Sequence, residues 1–271
     1  MPLKVRDVVK FMEDIAPVNL KESYDNVGLM VGDKDEEITS ILVALDCTLD
    51  VIEEAKDKNC SLILTHHPLL FRKPSSITTE TLIGKKIIQL IKNNINLYSS
   101  HTNLDSVKDG INDILVKILG FKSFKTIELA PNREYNDSIS GIGRIVELEK
   151  YITLEELCCK IKEDLNISYV RYSGEESKVI KKIAIINGSG QDYFDKAKKA
   201  HVDCIITGDT SYHYVSDYSE EGMALIDAGH FGTEWPCMKF VAMELENRIK
   251  NMGFNNSVIM SNRIRDPYKL K

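Results

Sequence analysis

Three short segments of the 271-residue chain concentrate imidazole and carboxylate side chains. They are Leu64-Thr65-His66-His67-Pro68, Ser99-Ser100-His101-Thr102-Asn103-Leu104-Asp105 and Asp227-Ala228-Gly229-His230-Phe231-Gly232-Thr233-Glu234. Each follows a short apolar run that reads as a strand. Side chains alternate faces along a strand, so the adjacent His66 and His67 diverge at its end and can serve two ions or two sides of one pocket. Pro68 lacks an N–H and ends the ladder there. Glu234 is expected in the first turn of a helix, where the positive helix end favours a carboxylate. His230, four residues earlier, can converge on the same centre from the preceding loop. Each segment alone also admits a plainer role: turn residues for the histidine pair, helix caps for Asn103, Asp105 or Ser106, and a capped strand-to-helix turn with Thr233 as the cap.

Together His66, His67, Asp105, His230 and Glu234 form a mixed nitrogen and oxygen set. It suits Zn²⁺, Fe²⁺, Mn²⁺, Co²⁺ or Ni²⁺ and does not suit a sulfur-rich structural zinc. Five ligands exceed one open tetrahedral site but suffice for two divalent ions if a carboxylate bridges. Two such ions and two carboxylates leave a positive surplus that favours bound hydroxide over water, and coordination lowers the pKa of water from ~15.7 to near 7.

The elements that must position these residues alternate in type. An amphipathic helix is expected from Val5, Val8, Val9, Met12 and Ile15, closed by Pro17. Strands follow at Val27–Val31, Ile41–Leu45, Ser61–Leu64 and Ile95–Tyr98, with helices at Leu49–Lys58, Thr81–Asn93 and Val107–Leu119. This β-then-α alternation predicts an α/β fold with a mostly parallel sheet. The polar stretch Ala130–Ser140, with Pro131, Asn132, Asn136 and Asp137, marks a domain junction. Beyond it come strands at Gly143–Leu148, Ile167–Arg171, Lys182–Ile186, Cys204–Thr207 and Met223–Asp227, and helices at Leu154–Asp164, Gln191–Ala200 and about Thr233–Lys250. Val258–Met260 is an expected edge strand. The reading is therefore two similar α/β domains, residues 1–125 and 126–271, with the last helix able to pack back on the first.

Ile38–His67 laid over Ile180–Asp209 gives seven identities in thirty positions, Thr65/Thr207 among them, with strand, helix and strand in the same places. A generic resemblance between any two βαβ units is the alternative. If the repeat is real, two like domains face a cleft at the carboxyl ends of their strands, where ligands tend to bind.

Composition narrows the function classes. The chain is 43% hydrophobic and 28% charged, as in folded soluble proteins. A net charge of −6 disfavours nucleic acid as a partner. Cys47, Cys60, Cys158, Cys159, Cys204 and Cys237 form no C-x-x-C pair and read as reduced thiols. No apolar run approaches the ~18 residues of a membrane span, and a cytoplasmic location is the default.

At these residues the chain resembles the dinuclear-metal proteins called GTP cyclohydrolase 1 type 2 homologues, or Nif-three-like proteins. The matching segments are Ser23-Tyr24-Asp25-Asn26-Val27-Gly28-Leu29 with Val31-Gly32, Ala44-Leu45-Asp46-Cys47-Thr48, Thr65-His66-His67-Pro68-Leu69, Ser100 to Asp105, Ile206-Thr207-Gly208-Asp209 and Asp227 to Glu234. The resemblance implies that His67 and Asp105 hold one ion, His66 and His230 the other, and that Glu234 reaches both. It also implies a two-domain α/β fold with a pseudo-repeat and a toroidal homohexamer. Phe121–Gly143 is too short for the additional domain that some relatives carry there. His101, Asp209 and His213 match positions near the family's site and would transfer protons or orient ligands. Asp25 and Asn26 would do the same, or would fix the turn before Gly28.

The expected activity is a metal-dependent hydrolase acting on a small molecule, a nucleotide or phosphoester. No P-loop supports the GTP in the family label, and Gly188-Ser189-Gly190 is at most a small anion-binding turn. The competing reading is a non-enzymatic metal-binding scaffold or regulator. Nucleophilic catalysis by Ser189 or Cys47 lacks a base nearby in sequence, and Asn187-Gly188-Ser189-Gly190 departs from G-x-S-x-G.

Overall fold

The computed structural model describes residues 2–130, 137–269 and 271. In chain order the helices are α1 (Val5–Ile15), α2 (Leu49–Asp57), α3 (Leu82–Lys92), α4 (Thr102–Ser106), α5 (Ile111–Ile118), α6 (Leu154–Leu165), α7 (Phe194–Lys199), α8 (Tyr212–Glu220) and α9 (His230–Asn251). The strands are β1 (Gly28–Val31), β2 (Ile41–Ala44), β3 (Leu62–Thr65), β4 (Asn96–Ser99), β5 (Lys125–Leu129), β6 (Gly141–Thr153), β7 (Arg171–Ser173), β8 (Val179–Ile185), β9 (Cys204–Thr207), β10 (Ala224–Asp227) and β11 (Val258–Met260). Two compact units divide the chain: residues 1–104 with 238–271, and residues 105–237.

The first unit carries a five-stranded sheet in the order β1-β4-β3-β2-β11. All neighbours are parallel except β1, and β11 lies at the edge as its sequence suggested. Every residue of β2, β3 and β4 is buried, which is the pattern of strands covered on both faces. Threonines begin the flanking helices: Thr48 Oγ1 accepts from the Val51 amide and Thr81 Oγ1 from that of Gly84, satisfying amides that have no partner within the helix.

The second unit carries a six-stranded sheet, β5-β6-β8-β9-β10-β7. Only β8, β9 and β10 run parallel; β5, β6 and β7 pair antiparallel with their neighbours. The core on one face joins Phe194 and Ala197 of α7 to Ala184, Ile205 and Leu225 of the three central strands. The parallel β2-α2-β3 and β8-α7-β9 units occupy equivalent positions in the two sheets, and the paired Thr65 and Thr207 each close their strand.

Several boundaries differ from the sequence expectation for identifiable reasons. The helix expected at Val107–Leu119 begins only at Ile111, because Asp109 takes a left-handed φ of 62° and its amide bonds Asp113 Oδ2; the turn before it, Thr102–Ser106, forms the separate α4. The strand expected at Ile167–Arg171 begins only at Arg171. Asn166 ends α6 in the left-handed region, and the Ile167 amide still caps the Lys162 carbonyl. β5 was not expected at all. The polar stretch Ala130–Ser140 joins β5 to β6, and Pro131, Asn132 and Asn136 of its expected turn chemistry lie outside the described residues. The long final helix begins three residues earlier than expected, at His230.

Candidate functional site

Strand register brings the first group of side chains together. β3 and β4 are parallel neighbours with Thr65 opposite Ser99, so the residues just beyond them emerge side by side. The backbone continues the pairing for one step, from the Ser100 amide to the Thr65 carbonyl, and Nδ1 of His66 meets the Ser100 carbonyl at 2.9 Å. β2 lies on the other side with Ala44 opposite Thr65. This places Asp46 beside His67, where its Oδ1 is 2.9 Å from Nδ1.

His101 stands immediately before α4, with its ring centre 5.2 Å from that of His66 and 5.6 Å from that of His67. One nitrogen from each of the three rings lies within 4.8 Å of the others. Nδ1 of His101 meets Oδ1 of the buried Asp25 at 2.9 Å, and the other oxygen of Asp25 accepts from the Thr102 amide and hydroxyl. Burial alone would raise the pKa of Asp25, but these bonds win and hold it well below the usual carboxylate range. Asp25 therefore orients His101, while Asn26 bonds the Leu70 carbonyl and Oδ1 of Asp25.

The second group belongs to the other unit. β9 and β10 are parallel with Thr207 opposite Asp227, which sets Asp209 beside the Gly229-His230 turn. Because α9 starts at His230, both His230 and Glu234 are helical, and their i,i+4 spacing puts them on one face. Nε2 of His230 is 3.0 Å from Oε2 of Glu234, and Nδ1 is 2.7 Å from Oδ2 of Asp209. Burial works against protonation of this imidazole, yet its two carboxylate partners push its pKa up to about 11. Thr233 is no cap: it is buried within α9, and its hydroxyl accepts from the Gly188 amide and returns to the His230 carbonyl.

Asn187, which sequence reasoning passed over, links Glu234 of this group to Asp105. Its Nδ2 donates to Asp105 Oδ1 at 2.8 Å and to Glu234 Oε1 at 3.0 Å. Gly188 follows with φ 55°; a Cβ there would collide with Oε1 of Glu234 and lie 3.2 Å from Nε2 of His230. The missing side chain thus keeps space beside two candidate ligands. His213 sits exposed on the first turn of α8 with its ring edge-on to Tyr212, and it joins none of the ligand groups found among the described residues. Burial pushes the Cys47 thiol up to about 12, which makes it inert as a nucleophile at neutral pH.

The family described as Duf34/NIF3 (NGG1p interacting factor 3) matches residues 3–267. The chain belongs to this family. It is 58% identical over 271 residues to the GTP cyclohydrolase 1 type 2 homolog of Clostridium acetobutylicum, with 100% of both chains covered. It is 55% identical over 267 residues to the homolog of Clostridium perfringens, covering 98% of this chain and 99% of that one. Among solved structures, a Staphylococcus aureus hypothetical protein matches with a TM-score of 0.90 and 33% identity, covering 100% of both chains. These matches bear out the resemblance and the two-sheet α/β fold expected of a DUF34/NIF3 protein. The His and carboxylate groups described above are able to bind a metal ion, and no helix among the described residues is long and apolar enough to cross a membrane.

Proposed function

We propose that this DUF34/NIF3 protein is a metal-dependent hydrolase of nucleotides or phosphoesters whose ligands are His66, His67, Asp105, His230 and Glu234. The observation that carries the reading is the treatment of Nδ1. In His66, His67 and His230 this nitrogen meets an oxygen that can only accept: the Ser100 carbonyl, the Asp46 carboxylate and the Asp209 carboxylate. The ring proton is thereby fixed on Nδ1, and the neutral ring offers its lone pair on Nε2; His230, whose Nε2 also faces Glu234 Oε2, gives up its second proton when an ion binds. Metal-ligating histidines are oriented in this way, by an oxygen acceptor behind the ring. The donor set, three imidazoles and two carboxylates, suits divalent Zn, Fe or Mn.

The division of ligands follows the family resemblance: His67 and Asp105 for one ion, His66 and His230 for the other, Glu234 for both. When bound, such ions polarise a substrate oxygen and bring the pKa of water down to near 7. The residues of the chain perform the rest. Asp46 and Asp209 hold the rings in position, and Asn187 holds Asp105 and Glu234 by one oxygen each. His101, oriented by Asp25, is the proposed proton carrier. The protein is further proposed to act in the cytoplasm as a homohexamer, a state that light scattering on the purified chain tests directly.

The experiment is to load the protein with Zn²⁺, Mn²⁺ or Fe²⁺ in turn and screen nucleotides and phosphoesters. Turnover that disappears in Glu234→Ala supports the hydrolase. Full metal occupancy with no turnover on any substrate favours the alternative, a metal-binding scaffold or regulator.

A further inference from the structure

Beside the loop that carries Asp209, the second unit contains a cavity of about 220 Å³ lined by β7, β10, Thr210 and Ser211 of that loop, and the start of α8. Pockets that take a whole small molecule run to ~300–1,000 Å³, so this one fits a fragment of a larger ligand. β7 pairs with β10 so that Arg171 stands opposite Asp227, and these two residues form one wall. Asp227 is only 5% exposed; it takes Arg171 Nη2 and the Thr210 hydroxyl on one oxygen and the Gly229 amide on the other. The Arg171 guanidinium is thus anchored along one edge, while most of its side chain remains open to solvent.

Aromatic rings make the rest of the rim. Tyr172 is half exposed, and its hydroxyl is held by Glu176 at 2.5 Å. Tyr212 is 80% exposed, yet its ring is set edge-on to His213 with centres 5.4 Å apart. Leu225, fully buried, gives an apolar floor.

We propose that this cavity is a subsite for a planar heteroaromatic ring of the nucleobase kind, carried by the substrate whose other end reaches His230 and Asp209. Each simpler ligand leaves part of the lining unused. Asp227 cancels the charge of Arg171, so the pair offers oriented donors without the net positive charge that would select a bare anion. A sugar would use the hydroxyls and ignore the rings, and an aliphatic chain would desolvate the open edge of Arg171 without pairing it. A flat ring with carbonyl or ring-nitrogen acceptors stacks on tyrosine and meets the planar guanidinium fork at its edge.

The assignment deepens the hydrolase reading and rests on it for the reaction, but the binding is testable without metal. Metal-free, full-length protein is titrated with guanosine, adenosine, uridine and cytidine, and separately with ribose 5-phosphate and inorganic phosphate, by calorimetry. Saturable binding of at least one nucleoside is expected, with neither phosphate compound matching it. Tyr212→Ala, a surface substitution, weakens that binding about 10-fold, and Tyr212→Trp retains it. Absence of binding by every nucleoside, equal binding by ribose 5-phosphate or phosphate, or full binding in Tyr212→Ala overturns the proposal. None of these outcomes bears on whether the loaded protein hydrolyses anything.

Discussion

Oδ1 of Asp46 lies 2.9 Å from Nδ1 of His67. The contact joins the loop after β2 to the end of β3, and it decides which nitrogen of His67 carries the proton. The same device recurs at His230 with Asp209 and at His101 with Asp25. An imidazole ligand is only as well placed as the group behind it.

Asp46→Ala therefore weakens metal binding by about 10- to 100-fold without disturbing the fold. The Asp46 side chain is 48% exposed, so its loss opens no cavity in the core. Competition titration with a chelating dye checks the affinity, and thermal unfolding of the metal-free protein checks that the melting temperature stays near that of the wild type.

Asn187→Leu acts on the other group. It removes the shared donor of Asp105 and Glu234 from a buried setting, which costs about 1–3 kcal/mol for each donor lost. The metal-free variant is expected to melt at a lower temperature and to bind metal more weakly. A variant with wild-type affinity would show that Asn187 does not position the carboxylates.

Gly188→Ala tests the space beside the ligands. The added methyl group meets Glu234 and the backbone is held at a φ that alanine disfavours, so metal content falls although no donor atom has been removed. Metal analysis of the variant after dialysis reads this directly.

Acid stability draws on a residue of α2. Glu54 of α2 is 2% exposed; Lys58 pairs with it, and the Ser261 hydroxyl and the Asn262 and Arg263 amides bond it, fixing the segment after β11. Burial would raise its pKa, but these donors bring it down from 4.5 to about 2. A depressed folded-state pKa gives stability that is complete above the unfolded value and is lost as pH falls. Glu54 accordingly contributes on the order of 3 kcal/mol above pH 4.5, and this disappears between pH 4.5 and 2. Urea unfolding across that range shows a steeper loss of stability in the wild type than in Glu54→Gln.

Much of this was legible in the sequence because apolar runs and strand ends carry strong local signals. β9 was read to the residue, and His66, His67, Asp105, His230 and Glu234 were singled out from residue type and position after strands. Interactions set by register across a sheet leave no such signal. Asp46 is 21 residues from His67, and Asn187 is 82 from Asp105. The first partnership follows from which strands are neighbours and the second from where the loop after β8 meets Asp105, and periodicity reports neither. β5 escaped and β7 was placed too early because antiparallel edge strands of this sheet are short and half-polar. The helix start at His230 escaped because Gly229 and Gly232 read as loop, although only Gly229 takes a positive φ.

The central claim is that His66, His67, Asp105, His230 and Glu234 bind two divalent ions, with Glu234 serving both. Metal per chain, measured by plasma mass spectrometry on protein reconstituted with Zn²⁺ or Mn²⁺ and dialysed, tests it most directly. About two ions are expected in the wild type, and Glu234→Ala is expected to lose more metal than either His66→Ala or His67→Ala. Equal stoichiometry in the wild type and all three variants would contradict the account.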